Sequence, residues 1–529
     1  MASPTSTLLL TSLLLFFTST TSTSTSTYNL TSIKSLCQST PYPDSCLHSL
    51  KLSVSVTINP SILTILLQTL TAAVSEAAAL APLLHAPAGV VERQRGSLLD
   101  CRELHQITIA SLEKSESIIS SAGTAATRSA VSDVRAHLSA ALTNKNTCLE
   151  GLSTASGPAK PALVQSWLSA YRHVSNSLSL ASRSDIGIGI GGSGRRSRRR
   201  LLQDVVDYGE YDPSTILTVA ADGTGNFTAI NDAIRFAPNM SDERTIIVVR
   251  AGTYRENVDV PAYKTNIVLL GEGSDASVVT GDRSAGDGWT TFRSATVAVS
   301  GQGFLARDLA FVNTAGPGKG QAVALRVNAD LAAVYRCAIR GYQDTLYVHS
   351  FRQFYRECDV SGTVDFVFGN AAAVLQNCNL YARLPLRGQS VVVTAQSRDD
   401  PDEATGISIQ NCSVVPSDEL ASAGGATRTY LGRPWKPYAT TVYIESYIDG
   451  MVSPAGWSKW SASDGDSAVD TVYYGEYMNS GPGSSTDGRV TWPGFHVMEY
   501  EEAYGFTVSQ FIYGDQWLGS TSFPYDDDI

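Results

Sequence analysis

The feature that most constrains this chain is a phrase that recurs in its second half. AAVYRCAIRG (332–341), RQFYRECDVSG (352–362), VLQNCNLYA (374–382) and GISIQNCSVV (406–415) each carry a Cys among short apolar runs. The cysteines fall at 337, 358, 378 and 412, so two successive intervals are 21 and 20 residues. A strand-rich unit of that length cannot bury its own apolar face, but stacked copies can, and the result is a solenoid. The unit repeats one strand pattern instead of alternating hairpins, which favours a right-handed parallel β-helix over a sandwich. The same texture starts at Ile216, with TIIVV (245–249), NIVLL (266–270), TVAV (296–299) and VVVT (391–394) separated by Gly, Asn and Asp. Rungs stacked about 4.8 Å apart put Cys358 and Cys378 within disulfide reach. Cys337 stands in the same column, so its pairing with Cys358 stays open.

The rung period also organises polar residues. Gln321 precedes Gln343 by 22 positions, and Asp344 precedes Asp365 by 21. One turn of the solenoid per interval brings all four to neighbouring rungs on one face. Two adjacent carboxylates cannot both ionise cheaply, so one pKa is expected to rise and the other to fall. That supplies a proton donor and an ionised nucleophile or base from one residue type. The two amides can donate hydrogen bonds to an oxyanion, and Arg433 in YLGRPWK can hold one carboxylate charged. Singly, each Asp could be a turn cap and the glutamines an amide ladder. Their coincidence at one-rung spacing carries the argument.

The first part of the chain is different in kind. Residues 28–182 carry apolar positions at helical spacing, as in Ile62, Leu63, Ile65, Leu66, Leu70, Ala73, Val74, Ala77 and Leu80. This reads as a four-helix bundle stapled by Cys37 with Cys46 and Cys101 with Cys148. Ahead of it, the apolar stretch Leu8–Phe17 within residues 1–27 suits a signal-peptide core, although no basic residue precedes Lys34. Residues 183–202 form a Gly/Ser-rich linker ending in five arginines among the six residues from Arg195 to Arg200, the kind of exposed run that processing proteases cut. Composition and charge switch there. Residues 1–202 hold 17 Lys and Arg against 10 Asp and Glu, whereas 203–529 hold 22 against 40. So acidic a second region argues against binding nucleic acid. Eight cysteines without a CxxC pair, and sequons at Asn29, Asn226, Asn239 and Asn411, fit an oxidising, secretory route better than a zinc site.

Several longer motifs carry a family resemblance. GTYRE (252–256), GQAVALR (320–326), GYQDTLY (341–347), GTVDFVFGN (362–370), YLGRPWK (430–436), GWSKW (456–460) and YYGEYMNSGPG (473–483) resemble, in order, those of plant pectin methylesterases. The resemblance spans nearly all of residues 213–522. The region before them resembles the family's inhibitor-like pro-domain, and RRRLLQ resembles its basic processing site, here Arg199, Arg200, Leu201 and Leu202. The resemblance implies a β-helix catalytic domain over 203–529 that hydrolyses methyl esters of galacturonate in pectin, with no metal or cofactor. It implies Asp365 as nucleophile, Asp344 as acid and base, and Gln343 as a stabiliser of the negatively charged intermediate. Thr291 and Gln321 match substrate or oxyanion contacts, and Arg433 and Trp435 match galacturonate-binding residues. The implied partners are methyl-esterified pectin, a processing protease and separate inhibitor proteins, in a secreted protein of the cell wall. The pro-domain would block premature activity or aid folding. Gly320 replaces a His common in relatives, and Ala439-Thr440 replaces a Ser-Arg pair.

Two other readings compete. A polygalacturonase or pectate lyase also uses carboxylates on a β-helix. Yet there is no GHG or RIK tripeptide and no carboxylate cluster suited to calcium near Asp344 or Asp365. A non-catalytic inhibitor would be expected to have lost part of the polar column, which is complete here.

Overall fold

The computed structural model describes residues 30–51, 61–85, 89–122, 126–183, 216–424, 427–461 and 469–529. The expected signal segment (1–27) and the processing residues Arg199, Arg200, Leu201 and Leu202 lie outside them. Helical periodicity becomes a bundle of four long helices, α3 (Ile62–His85), α4 (Ser97–Ala122), α5 (Arg128–Ser153) and α6 (Lys160–Ala181), preceded by two short ones, α1 (Leu30–Gln38) and α2 (Pro43–Lys51). The stripe read from the sequence of α3 is the buried one: Ile65, Leu66, Leu70 and Ala73 are all fully enclosed. Thr127 caps α5 by accepting the Ala130 amide at 3.1 Å, which satisfies one of the orphan donors of its first turn. Both expected disulfides form. Cys37–Cys46 ties α1 to α2, and Cys101–Cys148 ties α4 to α5.

From Ile216 the chain winds into a right-handed parallel β-helix whose described strands form three parallel sheets of eleven, seven and eight, each complete rung giving one strand to each sheet. Register follows the sequence period. Leu346 pairs with Val367, and Arg352 with Ala372. Alternate side chains point inward, so Val297, Leu325, Val327, Leu346, Val348 and Val367 build one continuous core. A short helix, α7 (Ile230–Phe236), closes the first rungs with Ile230, Ala233 and Ile234. The C-terminal segment folds back over the eleven-stranded sheet, laying Val508, Ile512, Trp517 and Leu518 on Leu305, Phe354 and Val374.

The corner between the eleven- and eight-stranded sheets is a single left-handed residue on successive rungs: Asp308, Arg336, Glu357, Asn377, Asn411 and Glu445, with φ between 49° and 58°. The cysteine column follows these corners directly, and here the structure corrects the expected disulfide. Cys358 and Cys378 are not bonded; they and Cys337 and Cys412 are buried free thiols. In-register positions on parallel strands project their Cβ–Sγ bonds in the same direction, not toward each other. The sulfurs instead serve the backbone. The Cys358 amide donates to Cys378 Sγ at 3.4 Å, the Cys378 amide to Cys412 Sγ at 3.3 Å, and the Cys412 amide to Ser446 Oγ at 3.1 Å.

Candidate active site

The seven-stranded sheet carries the polar column at its leading edge. Asp344 stands two residues before strand Leu346–Ser350 and Asp365 two before Val367–Gly369, so the register of these strands makes them neighbours. Both backbones are left-handed, with φ of 63° and 52°. That conformation is uncommon outside glycine but tolerated by Asp, and here it turns the chain into the strand while leaving the carboxyl at the mouth. Asp344, Asp365, Gln343, Gln321, Thr291, Arg433 and Trp435 all line one cavity of about 240 Å³. Every catalytic and substrate-contact residue expected from the sequence is therefore gathered in one place.

Arg433 grips Asp365 with both edges, Nε to Oδ1 at 2.8 Å and Nη2 to Oδ2 at 2.6 Å, and its guanidinium stacks 4.3 Å over Trp460. A bidentate fork of this kind fixes a carboxylate in orientation as well as in charge. Burial pushes Asp344 well above the usual carboxylate range, and the charge of Asp365 adds to the rise. Burial raises Asp365 too, against the opposing pull of Arg433. The expected fall at Asp365 is thus not seen, because burial outweighs the guanidinium. The order is nevertheless the expected one: Asp344 is raised the more strongly, and Asp365, beside Arg433, is the readier of the two to ionise.

Apart from Trp435, the floor of the cleft was left unassigned by the sequence. The outward row of the sheet runs Asp259, Ala298, Arg326, Tyr347, Phe368, Ala395 by strand register. Tyr347 and Phe368 stack at 4.1 Å, Phe368 meets Trp435 at 6.0 Å, and Trp435 stacks on Trp460. Flat rings of this kind suit the apolar faces of sugar rings. Arg326, Tyr347 and Phe368 recur at 21-residue spacing, the period already used for the aspartates, so a signal for them was present.

The helical bundle roofs this cleft. Gln94, Asp100, Thr147, Glu150 and Gly151 line the same cavity as the aspartates. Thr147 Oγ1 meets His349 Nε2 at 2.9 Å, Asn370 Nδ2 donates to Thr143 Oγ1 at 2.8 Å, and Lys436 pairs with Glu150 at 2.9 Å. Asp100 and Thr147 immediately precede Cys101 and Cys148, so the disulfide locks together the two helices that reach into the cleft.

A buried aspartate pair, one member clamped by arginine, in a cleft floored with aromatic rings on a parallel β-helix, is the equipment of a hydrolase acting on a sugar polymer. The pectinesterase family model matches residues 216–515, and that of plant invertase/pectin methylesterase inhibitor matches 31–180. The chain is 58% identical to a probable pectinesterase/pectinesterase inhibitor of Arabidopsis thaliana over 519 residues, 94% of each chain. It is 42% identical to pectinesterase 1 of Citrus sinensis over 521 residues, 93% of this chain and 88% of that one. Among solved structures, the pectin methylesterase from carrot aligns with a TM-score of 0.58 and 52% identity, covering 59% of this chain and 98% of its own. The chain belongs to the pectinesterase family, as a pectin methylesterase whose catalytic β-helix follows an inhibitor-type helical domain.

Proposed function

We propose that this enzyme removes methyl groups from pectin through an acyl-enzyme on Asp365. The observation that carries this reading is the bidentate Arg433–Asp365 pair beside a carboxyl, Asp344, whose pKa burial has raised. The Asp365 carboxylate attacks the ester carbonyl, and the oxyanion that forms takes hydrogen bonds from the amides of Gln343 and Gln321. As the C–OCH₃ bond breaks, Asp344 gives its proton to the departing methoxide, releasing methanol. Asp344, now ionised, takes a proton from water. The hydroxide attacks the galacturonate carbonyl of the mixed anhydride, and the C–O bond to Asp365 breaks. The galacturonic acid leaves and gives its proton to solvent, with Asp365 again ionised and Asp344 again protonated. Thr291 and Trp435 hold the sugar, Trp435 through its ring face.

The same reading makes the helical domain (28–182) an intramolecular roof. Its residues Asp100, Thr147 and Glu150 share the cavity of the aspartates, which supports latency until a protease cuts the 183–202 linker at Arg199, Arg200, Leu201 or Leu202. Action on pectin in the cell wall then follows secretion and cutting, and separate inhibitor proteins of the same helical family would compete for the bared cleft. The test is methanol release from methylated pectin by the full chain before and after cleavage in the linker. Release only after cleavage, abolished by Asp365→Asn, is expected. New reducing ends or unsaturated products in place of methanol would instead identify a glycosidase or lyase.

A further inference from the structure

Two carboxylates of the roof hold an unusual pair of arginines. Asp100 and Glu103, one turn apart on α4, both bind Arg293, through Nε at 2.6 Å and Nη2 at 2.5 Å. Thr290 Oγ1 donates to Asp100 Oδ2 at 2.5 Å, and Ser300 Oγ donates to Glu103 Oε1 at 3.0 Å. Arg326 Nη2 lies 3.4 Å from Glu103 Oε1. Arg326 is only 1% exposed, with its guanidinium 3.5 Å over the ring of Phe292, and its Nε and Nη1 have no hydrogen-bond partner among the described residues. A guanidinium flat on an aromatic ring with open N–H edges is a carboxylate receptor, and leaving those edges empty is costly. The catalytic domain supplies little to neutralise it. Asp259, two strands over in the same row, is shared with Arg283 and Arg293. The carboxylates that occupy this receptor belong to the segment that cleavage removes.

We propose that Arg293 and Arg326, with Thr290 and Ser300, form a subsite for the free carboxylate of a de-esterified galacturonate, and that Asp100 and Glu103 stand in for such carboxylates in the precursor. The proposal rests on the reading of the chain as a pectin de-esterifying enzyme bared by loss of its roof. Thr290, Phe292 and Asp100 line the same cavity as Asp344 and Asp365. Arg326 lies one strand from Tyr347 and two from Phe368, so a polymer seated on the aromatic floor reaches it. A methyl ester offers neutral acceptors, whereas its hydrolysis product offers a charged, two-oxygen partner for an arginine fork. Each product carboxylate becomes a handle for the next turnover, which favours contiguous runs of de-esterification over scattered ones.

The test uses the full chain cleaved in its linker and the catalytic part isolated; the carrot enzyme, 98% of which is matched by 59% of this chain, is such a part standing alone. kcat/KM for methanol release is measured on two sets of oligogalacturonides of equal length, one fully methylated and one carrying free carboxylates. The ratio of the second to the first should fall about tenfold in Arg326→Gln and in Arg293→Gln, with Arg326→Lys retaining part of it. Binding of unesterified hexagalacturonate should weaken by a similar factor. Arg293 is partly exposed, so its variant reports even if Arg326→Gln misfolds. An unchanged ratio in the folded variants, or an equal loss on both substrates with hexagalacturonate binding intact, would overturn the proposal. Arginine-dependent binding of hexagalacturonate by a wild-type protein that releases no methanol would sink the esterase reading and leave the subsite standing.

Discussion

Asp344 and Asp365 share a chemical type, a left-handed backbone and a cavity, yet their neighbours divide the labour between them. Of the two, only Asp365 accepts hydrogen bonds from Arg433, which favours its charged form over that of Asp344. Asparagine tolerates the same left-handed conformation, which makes Asp→Asn the clean substitution at both positions. Methoxide is a poor leaving group and in the proposed mechanism takes the proton of Asp344, whereas nitrophenolate needs none. In single turnovers of the cleaved enzyme, Asp344→Asn is expected to recover much of its acylation rate on a nitrophenyl ester. Asp365→Asn is expected to stay inactive on both esters. Gln343→Ala should lose roughly 10²–10³-fold on both, the usual cost of one oxyanion donor. Equal rescue of the two aspartate variants would reverse or dissolve the assigned roles.

The rung is the repeating element, and its corner explains both a success and an error of sequence reasoning. Asn377 and Asn411 fill left-handed corners, and Asn411 Nδ2 donates to Asn377 Oδ1 at 2.9 Å, so the corner residues themselves form a ladder. The cysteine behind four of these corners marks the period correctly because it repeats in register. Register brings sulfurs close without aiming them at one another, and the expected Cys358–Cys378 bond was lost on that point. The interval from 378 to 412 is longer because the strand Val391–Gln396 is flanked by excursions, including the 397–405 loop that meets the helical domain. Alkylation of the denatured, unreduced protein should therefore modify four cysteines, Cys337, Cys358, Cys378 and Cys412, and the native protein none. Mass analysis that finds fewer than four after denaturation would show a disulfide in the column.

At the scale of the whole molecule, the seam between the two domains contains buried acidic groups. The 399–405 loop meets the bundle through Asn146 on Asp399, Ser175 on Asp400 and Ser139 on the Ala404 amide. Within it Glu403 is completely buried, accepting the amides of Asp399 and Asp400 at 3.0 and 3.3 Å. Burial pushes its carboxyl from 4.5 up to about 7, and Asp400 adds to the rise. A carboxyl raised on folding stabilises the fold fully below its unfolded value and loses that contribution as pH rises through the folded one. The precursor should thus lose up to about 3 kcal/mol from this group between pH 4.5 and 8, at roughly 1.4 kcal/mol per unit. Thermal melts of full-length wild type and Glu403→Gln should diverge over that window, with the variant the more stable above pH 7. Parallel curves would mean that Glu403 is not buried by the docked bundle.

The near-constant period between residues 321 and 378 let the sequence alone point to the β-helix, to the rung neighbours Asp344 and Asp365, and to Gln321 and Gln343 beside them, while Arg433 was found through its motif YLGRPWK. A fixed repeat converts spacing along the chain into adjacency in space. Helical periodicity likewise pointed to the bundle, and the pairing of cysteines near in sequence anticipated its two disulfides, each of which joins adjacent helices. Tertiary structure alone decided what depends on direction and on docking. Arg326, Tyr347 and Phe368 share the 21-residue period, but only the folded sheet reveals that their face is the cleft floor. The net rise of Asp365 reflects the depth of burial, which spacing does not encode. That Asp100, Thr147 and Glu150 share the cavity of the aspartates, and that Glu103 meets Arg293 and Ser300, depends on the fit between surfaces some 200 residues apart in sequence, and no local pattern carries such a fit.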